Sequence, residues 1–476
     1  MYNLGERFVL RRPLTEMTPL DELVPLGALE VDSPPPALPA PSVSLRVGVV
    51  AAFVAALGVF AFFAWRARLF APYADDHDWM ALALQQGGKL TVGYLMQPHN
   101  RQQIVWARLL AWMSRDGGEP SIFLAAGLTA ILVAAVSSAV FAALLAPSRD
   151  VGVVLGALAG IIVADGAAVQ DAAWAVFSVY AFVAAFTVLS LGLIECRKQE
   201  RWADPFLLAS LACALCAGFG NAAGYAVWPV LAWRAWRDPD RKAILPIVAV
   251  VAAAAMLSGF EGAITGQGAV APSGAGAHVA KMIAYFGPYC ALPLSGGKPK
   301  VVMEVMGWLL AGAGLLFLLK PPRTRGFERL GHYGRSLIAF ALITAVMATI
   351  GRVDELPLPI VPTRYVVFAD GLHVGLLLAA APWLVSLWAA RPRLAEAAIL
   401  LFSVLLLAEQ AITGAITVRS ADMVRQASVA FDRGDRSAHT VSLVYPLGPA
   451  TAQRVRRLMR EAANAAADPA PISGGR

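Results

Sequence analysis

Ten or eleven apolar segments run through this chain of 476 residues, most of them uninterrupted by charge. A helix of about 20 apolar residues rises about 1.5 Å per residue and covers roughly 30 Å of hydrocarbon. Only elements that satisfy their own backbone groups can lie there. Segments 44–66, 121–146, 172–194, 301–319, 365–388 and 394–413 reach that length. Segments 151–165, 205–219, 222–236, 243–258 and 336–350 are shorter and read as tilted or partly re-entrant pieces trimmed by Gly and Pro. The expected fold class is an all-α polytopic membrane protein with about 11 transmembrane helices. A chain that is 58% hydrophobic and 15% charged has too little polar surface for an ordinary soluble domain.

The formal charge of +7 is distributed by loop. Arg197, Lys198 and Arg201 form one basic group, Arg234, Arg237, Arg241 and Lys242 a second, Lys320, Arg323, Arg325, Arg329 and Arg335 a third, and Arg391 and Arg393 a fourth. The short connections 165–171 and 219–222 have none. The positive-inside rule then puts the basic set in the cytoplasm, which accounts for the charge without nucleic acid as a partner. It also places the N-terminus in the cytoplasm, the loop after the first span outside, and the C-terminal tail in the periplasm.

Three regions follow. Residues 1–43 are a polar tail with a proline run at Pro34–Pro36, expected to be flexible and unlike a cleavable signal peptide. Residues 44–413 form the transmembrane domain, with long external loops at 67–120, 259–300 and 351–364. Residues 414–476 lose the long apolar runs and read as a small external segment with a helix near 449–467. In the first loop, 78–86 has helical character, and 101–114 gathers Ile104, Trp106, Leu109, Leu110 and Met113 largely on one side with Arg101 and Arg108 elsewhere, as an interfacial amphipathic helix would. Cys213 and Cys216 lie one turn apart in an apolar helix with no His or carboxylate beside them and read as packing residues.

The feature that points to chemistry is Asp75-Asp76-His77-Asp78-Trp79, directly after the first span. Carboxylates this close to a bilayer are costly to desolvate and mark functional positions, although Asp75 or Asp76 could instead cap the helix at 78–86. Across the same external side, Arg352 and Arg364 stand against the topological bias, as phosphate ligands or as partners of Asp354 and Glu355. His278 and Lys281, about one turn apart if helical, could touch phosphate or a metal or lie at the surface, and Asp165, Gln170 and Asp171 could line an acceptor or cap helices. A carboxylate that takes a proton from an attacking hydroxyl, with guanidinium groups that hold a leaving phosphate, suits sugar transfer from a lipid-phosphate donor. No glycine pattern of a nucleotide-binding domain is present.

These residues carry a resemblance to the GT-C superfamily of polyprenyl-phosphate-dependent glycosyltransferases, in its bacterial polytopic form, over most of residues 44–413. The matching motifs are Ala74-Asp75-Asp76-His77-Asp78-Trp79, Pro98-His99-Asn100-Arg101 with Arg108-Leu109-Leu110, Gln170-Asp171-Ala172-Ala173-Trp174, Gly351-Arg352 and Thr363-Arg364-Tyr365. The resemblance implies Asp76 or Asp75 as catalytic base, with Arg352 and Arg364 toward the donor phosphate; Lys281 and His278 are further candidates for that phosphate on their own chemistry. Asp78, Trp79, His99, Arg101, Tyr365, Gln170 and Asp171 would then contact substrate. It also implies an inverting glycosyltransferase in a bacterial inner membrane, with a lipid-linked sugar donor and a glycan, lipid or protein acceptor. No metal ligand set is assigned: a divalent ion, Mg or Mn, shared by Asp75, Asp76 and phosphate fits the chemistry, but the spacing is not diagnostic. The alternatives are an O-antigen ligase or polymerase-like enzyme using lipid-diphosphate donors, a polytopic transporter, and a non-catalytic membrane scaffold.

Overall fold

The computed structural model describes residues 8–9, 24–25, 40–69, 89–97, 104–114, 121–197, 204–237, 275–294, 298–322, 324–352, 361–444, 453 and 457; for 8–9, 24–25, 121, 275–277 and 352 it describes the backbone alone. Residues 1–39 form one unit, in which strand β1 (Phe8–Val9) pairs antiparallel with β2 (Val24–Pro25). Residues 40–476 form the second, and its described part is helical.

Its helices are α1 (Val43–Ala67), α2 (Val92–Met96), α3 (Val105–Met113), α4 (Ser121–Leu145), α5 (Arg149–Val163), α6 (Val169–Ala173), α7 (Ala175–Cys196), α8 (Pro205–Gly218), α9 (Val227–Arg237), α10 (Ala275–Cys290), α11 (Lys300–Leu319), α12 (Glu328–Arg352), α13 (Val366–Ala379), α14 (Ala381–Ala390), α15 (Pro392–Asp432) and α16 (Ala438–Val444). Six of them, α1, α4, α7, α11, α12 and α15, are long and apolar enough to cross a membrane. Two bent pairs raise the number to 8 if each is one span: α5 with Gly166–Ala173, at 41°, and Thr363–Ala379 with α14, at 47°. The chain is a polytopic all-α membrane protein.

The count of about 11 is not reached among the described residues. Segment 243–258 lies outside them, as do the helices expected at 78–86 and, apart from two positions, at 449–467. Segment 222–236 is a 3-10 turn, Ala222–Ala226, running into the 11-residue α9, too short to span. The boundary expected at 413 falls inside a helix, because α15, 41 residues in all, runs on to Asp432. Loss of hydrophobicity there marks where apolar surroundings end; the Ala, Val, Arg, Met and Gln that follow remain good or tolerable helix formers.

Small residues set the closest packing. Gly152, Gly156 and Gly160 recur every four residues on α5. A Cβ on the first two would meet the carbonyls of Ala143 and Ala139 on α4, and one on Gly160 would meet Phe53 of α1. Such stripes let helix backbones approach where no hydrophobic drive holds them together. At the starting end of α1, Ser42 Oγ accepts from Leu45 N (3.1 Å) and donates to Glu396 Oε2 (2.6 Å), and Arg46 pairs with Asp150.

In the first loop α3 is more deeply held than its sequence suggests. Trp106 Nε1 donates to Cys216 O (2.8 Å), and its ring stacks on Phe186 at 5.5 Å. Arg108, expected away from the apolar side, is buried, with its guanidinium 5.5 Å from the Tyr94 ring centre and its own carbonyl accepting from Tyr94 Oη (2.9 Å). The aromatic face offers the cation a partner that a helical wheel of α3 alone does not contain. Burial pushes the Tyr94 phenol up to about 12, with Arg108 opposing, and pushes the Arg108 guanidinium down, with Tyr94 opposing.

Gly156→Leu is expected to cost about 1–3 kcal/mol through overpacking of α4 against α5. Gly58→Leu, where nothing lies within 4 Å, should be near neutral. Thermal unfolding of both variants in detergent checks this.

Candidate functional site

The site is built where a span breaks. α5 ends at Val163, and Asp165 turns the chain into a 3-10 turn, Gly166–Ala168, by accepting from Ala167 N (3.0 Å). Only glycine fits at 166, because a Cβ would strike the Gln410 carbonyl and Thr413 hydroxyl of α15. Ile161 O, whose helical partner would be the amide of the break residue, accepts instead from Gln410 Nε2 at 2.5 Å. α6 then presents Gln170 and Asp171, and Trp174 opens α7 with its indole N–H on Ala67 O (2.9 Å). Ala67 is the last residue of α1, so the break stands beside the point where the chain departs toward Asp75.

The second half comes from the turn Thr363–Tyr365 before α13. Thr363 Oγ1 donates to Gln170 Oε1 at 2.6 Å, tying this turn to the break after α5. The half-buried Arg364 guanidinium lies 5.6 Å from the ring centres of Phe177 and Tyr365 and 6.0 Å from Tyr180. Tyr365 in turn stacks on Tyr289 of α10 at 5.6 Å and meets Tyr180 edge-on at 5.7 Å. The result is a guanidinium on an aromatic floor. Asp171 is fully buried, and Arg364 is its attracting charge; neither carboxylate oxygen of Asp171 has a hydrogen-bond partner.

Behind this pair the carboxyls multiply. Asp370 of α13 is 1% exposed, both its oxygens lack hydrogen-bond partners, and its charged neighbours are Asp165 and Asp171. A cavity of about 20 Å³, room for one water, lies alongside Asp370 and is also lined by Thr187, Phe340 and Gly371. Asp165 has Glu409 and Lys298 as further electrostatic neighbours, and Lys298 Nζ sits 3.1 Å from Glu409 Oε1 while donating to Leu294 O (2.6 Å). Three buried carboxyl groups and the half-buried Glu409 thus stand near the half-buried Arg364 and the exposed Lys298, and burying three acids together is an arrangement that structural packing alone does not favour.

Of the residues singled out in the sequence, the structure brings together Gln170, Asp171, Arg364 and Tyr365. His278 and Lys281 sit 11 and 8 residues before Tyr289 on α10, about 16 and 12 Å back along the helix. They occupy the first half of that helix, away from the end whose Tyr289 meets Tyr365. Asp75, Asp76, Asp78, Trp79, His99 and Arg101 lie outside the described residues, and of Arg352 only the backbone is described, as the last residue of α12. Among the described residues no three His, Cys, Asp or Glu side chains converge as a metal site. Asp370, Phe177 and Tyr180 were not selected from the sequence. Asp370 has a readable signal, a lone acid within the apolar run 366–379; the two rings do not differ from packing aromatics until Arg364 is placed.

No family model matches the chain, and no curated protein matches it. Among solved structures, the crystal structure of ArnT from Cupriavidus metallidurans in the apo state is similar, with a TM-score of 0.43 and 17% identity over 88% of this chain and 78% of that one. At that level no residue role passes from one protein to the other.

Asp370→Asn and Asp370→Leu should leave the thermal midpoint unchanged or raise it, since a buried carboxyl without a protein partner subtracts from stability. A loss of about 2 kcal/mol or more in detergent unfolding would show that the carboxyl is satisfied after all.

Proposed function

We propose that the chain is a membrane glycosyltransferase of the GT-C kind. It moves a sugar from a polyprenyl-phosphate donor to a cell-envelope acceptor at the periplasmic face of a bacterial inner membrane. The observation that supports this most is Arg364: a half-buried guanidinium on an aromatic floor, at the end of the bundle where α1 delivers the chain to Asp75-Asp76. Aromatic faces suit sugars and isoprenoid carbons, and a guanidinium suits a phosphate oxygen pair.

In this reading Asp76 or Asp75 accepts the proton of the acceptor hydroxyl as its oxygen attacks the anomeric carbon. The bond from that carbon to the phosphate oxygen breaks, and its electron pair leaves on the polyprenyl phosphate. Negative charge develops on the leaving phosphate, which Arg364 and Arg352 are suited to hold at that moment. Attack opposite the leaving group inverts the sugar carbon. Asp171 would act as a positioning residue, holding Arg364 by charge, and Thr363 with Gln170 would fix the turn that carries it.

One observation favours a second reading. Asp165, Asp370 and Glu409 lie on membrane-spanning helices or at their breaks, and two spans are bent, which is the arrangement of an ion-coupled transporter. The two readings separate on purified protein in liposomes. A transferase moves labelled sugar from a defined polyprenyl-phosphate donor, Arg364→Gln lowers kcat by about 10²–10³, Asp76→Asn or Asp75→Asn abolishes turnover, and Asp370→Asn retains most of it. Proton or solute flux that Asp370→Asn abolishes, with no sugar transfer by the wild type, would establish the transporter instead.

A further inference from the structure

Helix α7 has 22 residues, so its two ends stand roughly 33 Å apart. The end opposite Trp174 carries a second charged cluster that the proposed transfer does not use. Glu195, fully buried, accepts from Arg234 Nε at 2.8 Å and lies 2.8 Å from Arg234 Nη2. Arg234 Nη2 is also 2.8 Å from His332 Nδ1 on the first turns of α12. Because a guanidinium only donates, Nδ1 is the acceptor and the imidazole proton sits on Nε2. Glu195 is therefore already engaged by one guanidinium.

Arg335 follows His332 by three residues on α12 and shares its face. It is 9% exposed, and its Nε is buried without a hydrogen-bond partner. Among the described residues no hydrogen bond or ion pair reaches it. Its electrostatic neighbours are Arg234 and Arg237, which repel it, and Glu195, whose attraction is the smaller effect. Arg237 ends α9 with its guanidinium 5.2 Å from the Trp233 ring centre, and Trp236 beside it is 71% exposed. A guanidinium buried among like charges is stable only when an anion offsets them. The planar forks of arginine match the oxygens of phosphate, and an exposed tryptophan beside them belongs at the headgroup level of a bilayer.

We propose that Arg335 and Arg237, with Arg234 behind them, bind a phosphate-type anion at the end of the bundle opposite Arg364. The same chemistry could be presented by an anionic phospholipid headgroup or by a soluble phosphate, and the site is independent of the transfer reaction.

The test is a titration of the purified full chain in zwitterionic detergent, read by thermal midpoint, with dioleoyl phosphatidylglycerol, dioleoyl phosphatidylcholine or inorganic phosphate. The wild type should gain stability with phosphatidylglycerol and not with phosphatidylcholine. Arg335→Gln should need about tenfold more phosphatidylglycerol for the same gain, the effect of losing one charge-assisted hydrogen bond. Arg335→Lys should fall between the two, and Lys320→Gln, which removes an exposed charge, should respond as the wild type does. A gain with inorganic phosphate alone, lost in Arg335→Gln, supports the site and assigns it to a soluble anion. Should Arg335→Gln fail to fold, the exposed Arg237→Gln carries the comparison, with several-fold weakening expected. An equal response from wild type and variant, or no response to either anion, overturns the proposal.

Discussion

Every backbone polar group that this chain takes into hydrocarbon has to be met from within the protein, and the break at Asp165 shows how that is done. Interrupting a span frees carbonyls and amides. Here Asp165 takes the Ala167 amide, and Gln410 of α15 takes the Ile161 carbonyl. Gly166 lets α15 come close enough to do so. With its backbone groups met in this way, the break can aim Gln170 and Asp171 at the turn that carries Arg364. The polar end of the bundle depends on this exchange of hydrogen bonds between α5 and α15.

The charges then divide between two ends. Near Arg364 the surplus is acidic, with Asp165, Asp171, Asp370 and Glu409 against Arg364 and Lys298. At the far end of α7 it is basic, with Arg234, Arg237 and Arg335 around Glu195. Between them the interiors of α1, α4 and α11 carry Gly, Ala, Val, Leu and Phe, which pack by shape. An acidic surplus beside a guanidinium on an aromatic floor is suited to handling a proton and a phosphate together. A basic surplus beside exposed tryptophan is suited to an anion at a membrane surface. The two ends thus call for ligands of different kind.

Length and hydrophobicity made the spans legible: α1, α4, α7 and α11 begin and end within a few residues of the segments read from sequence. α5 ends beside the boundary that the sequence puts at 165, whereas the bend at Ala380 lies inside the apolar segment 365–388, although Pro382, two residues on, is a breaker. α15 outran its reading because helix propensity continues past Thr413, where hydropathy falls. Within the site, Gln170 and Asp171 stood out in a short connection and Arg364 and Tyr365 at the end of an external loop, and the structure gathers them. Asp370, though legible as a lone acid in an apolar run, lies outside the loops that carry the other polar candidates, and Arg108 was misplaced because its partner, Tyr94, lies on another helix. His278 and Lys281 looked like loop residues for want of a clear start to α10.

The central claim is that the acidic motif after α1 and the turn bearing Arg364 open on one side of the bilayer and share one site. A distance between spin labels at Asp76→Cys and Thr363→Cys, in a background lacking the native cysteines and reconstituted in nanodiscs, tests it directly. The account predicts a distribution centred below about 20 Å; a centre at about 30 Å or more, the thickness of the hydrocarbon core, would contradict it.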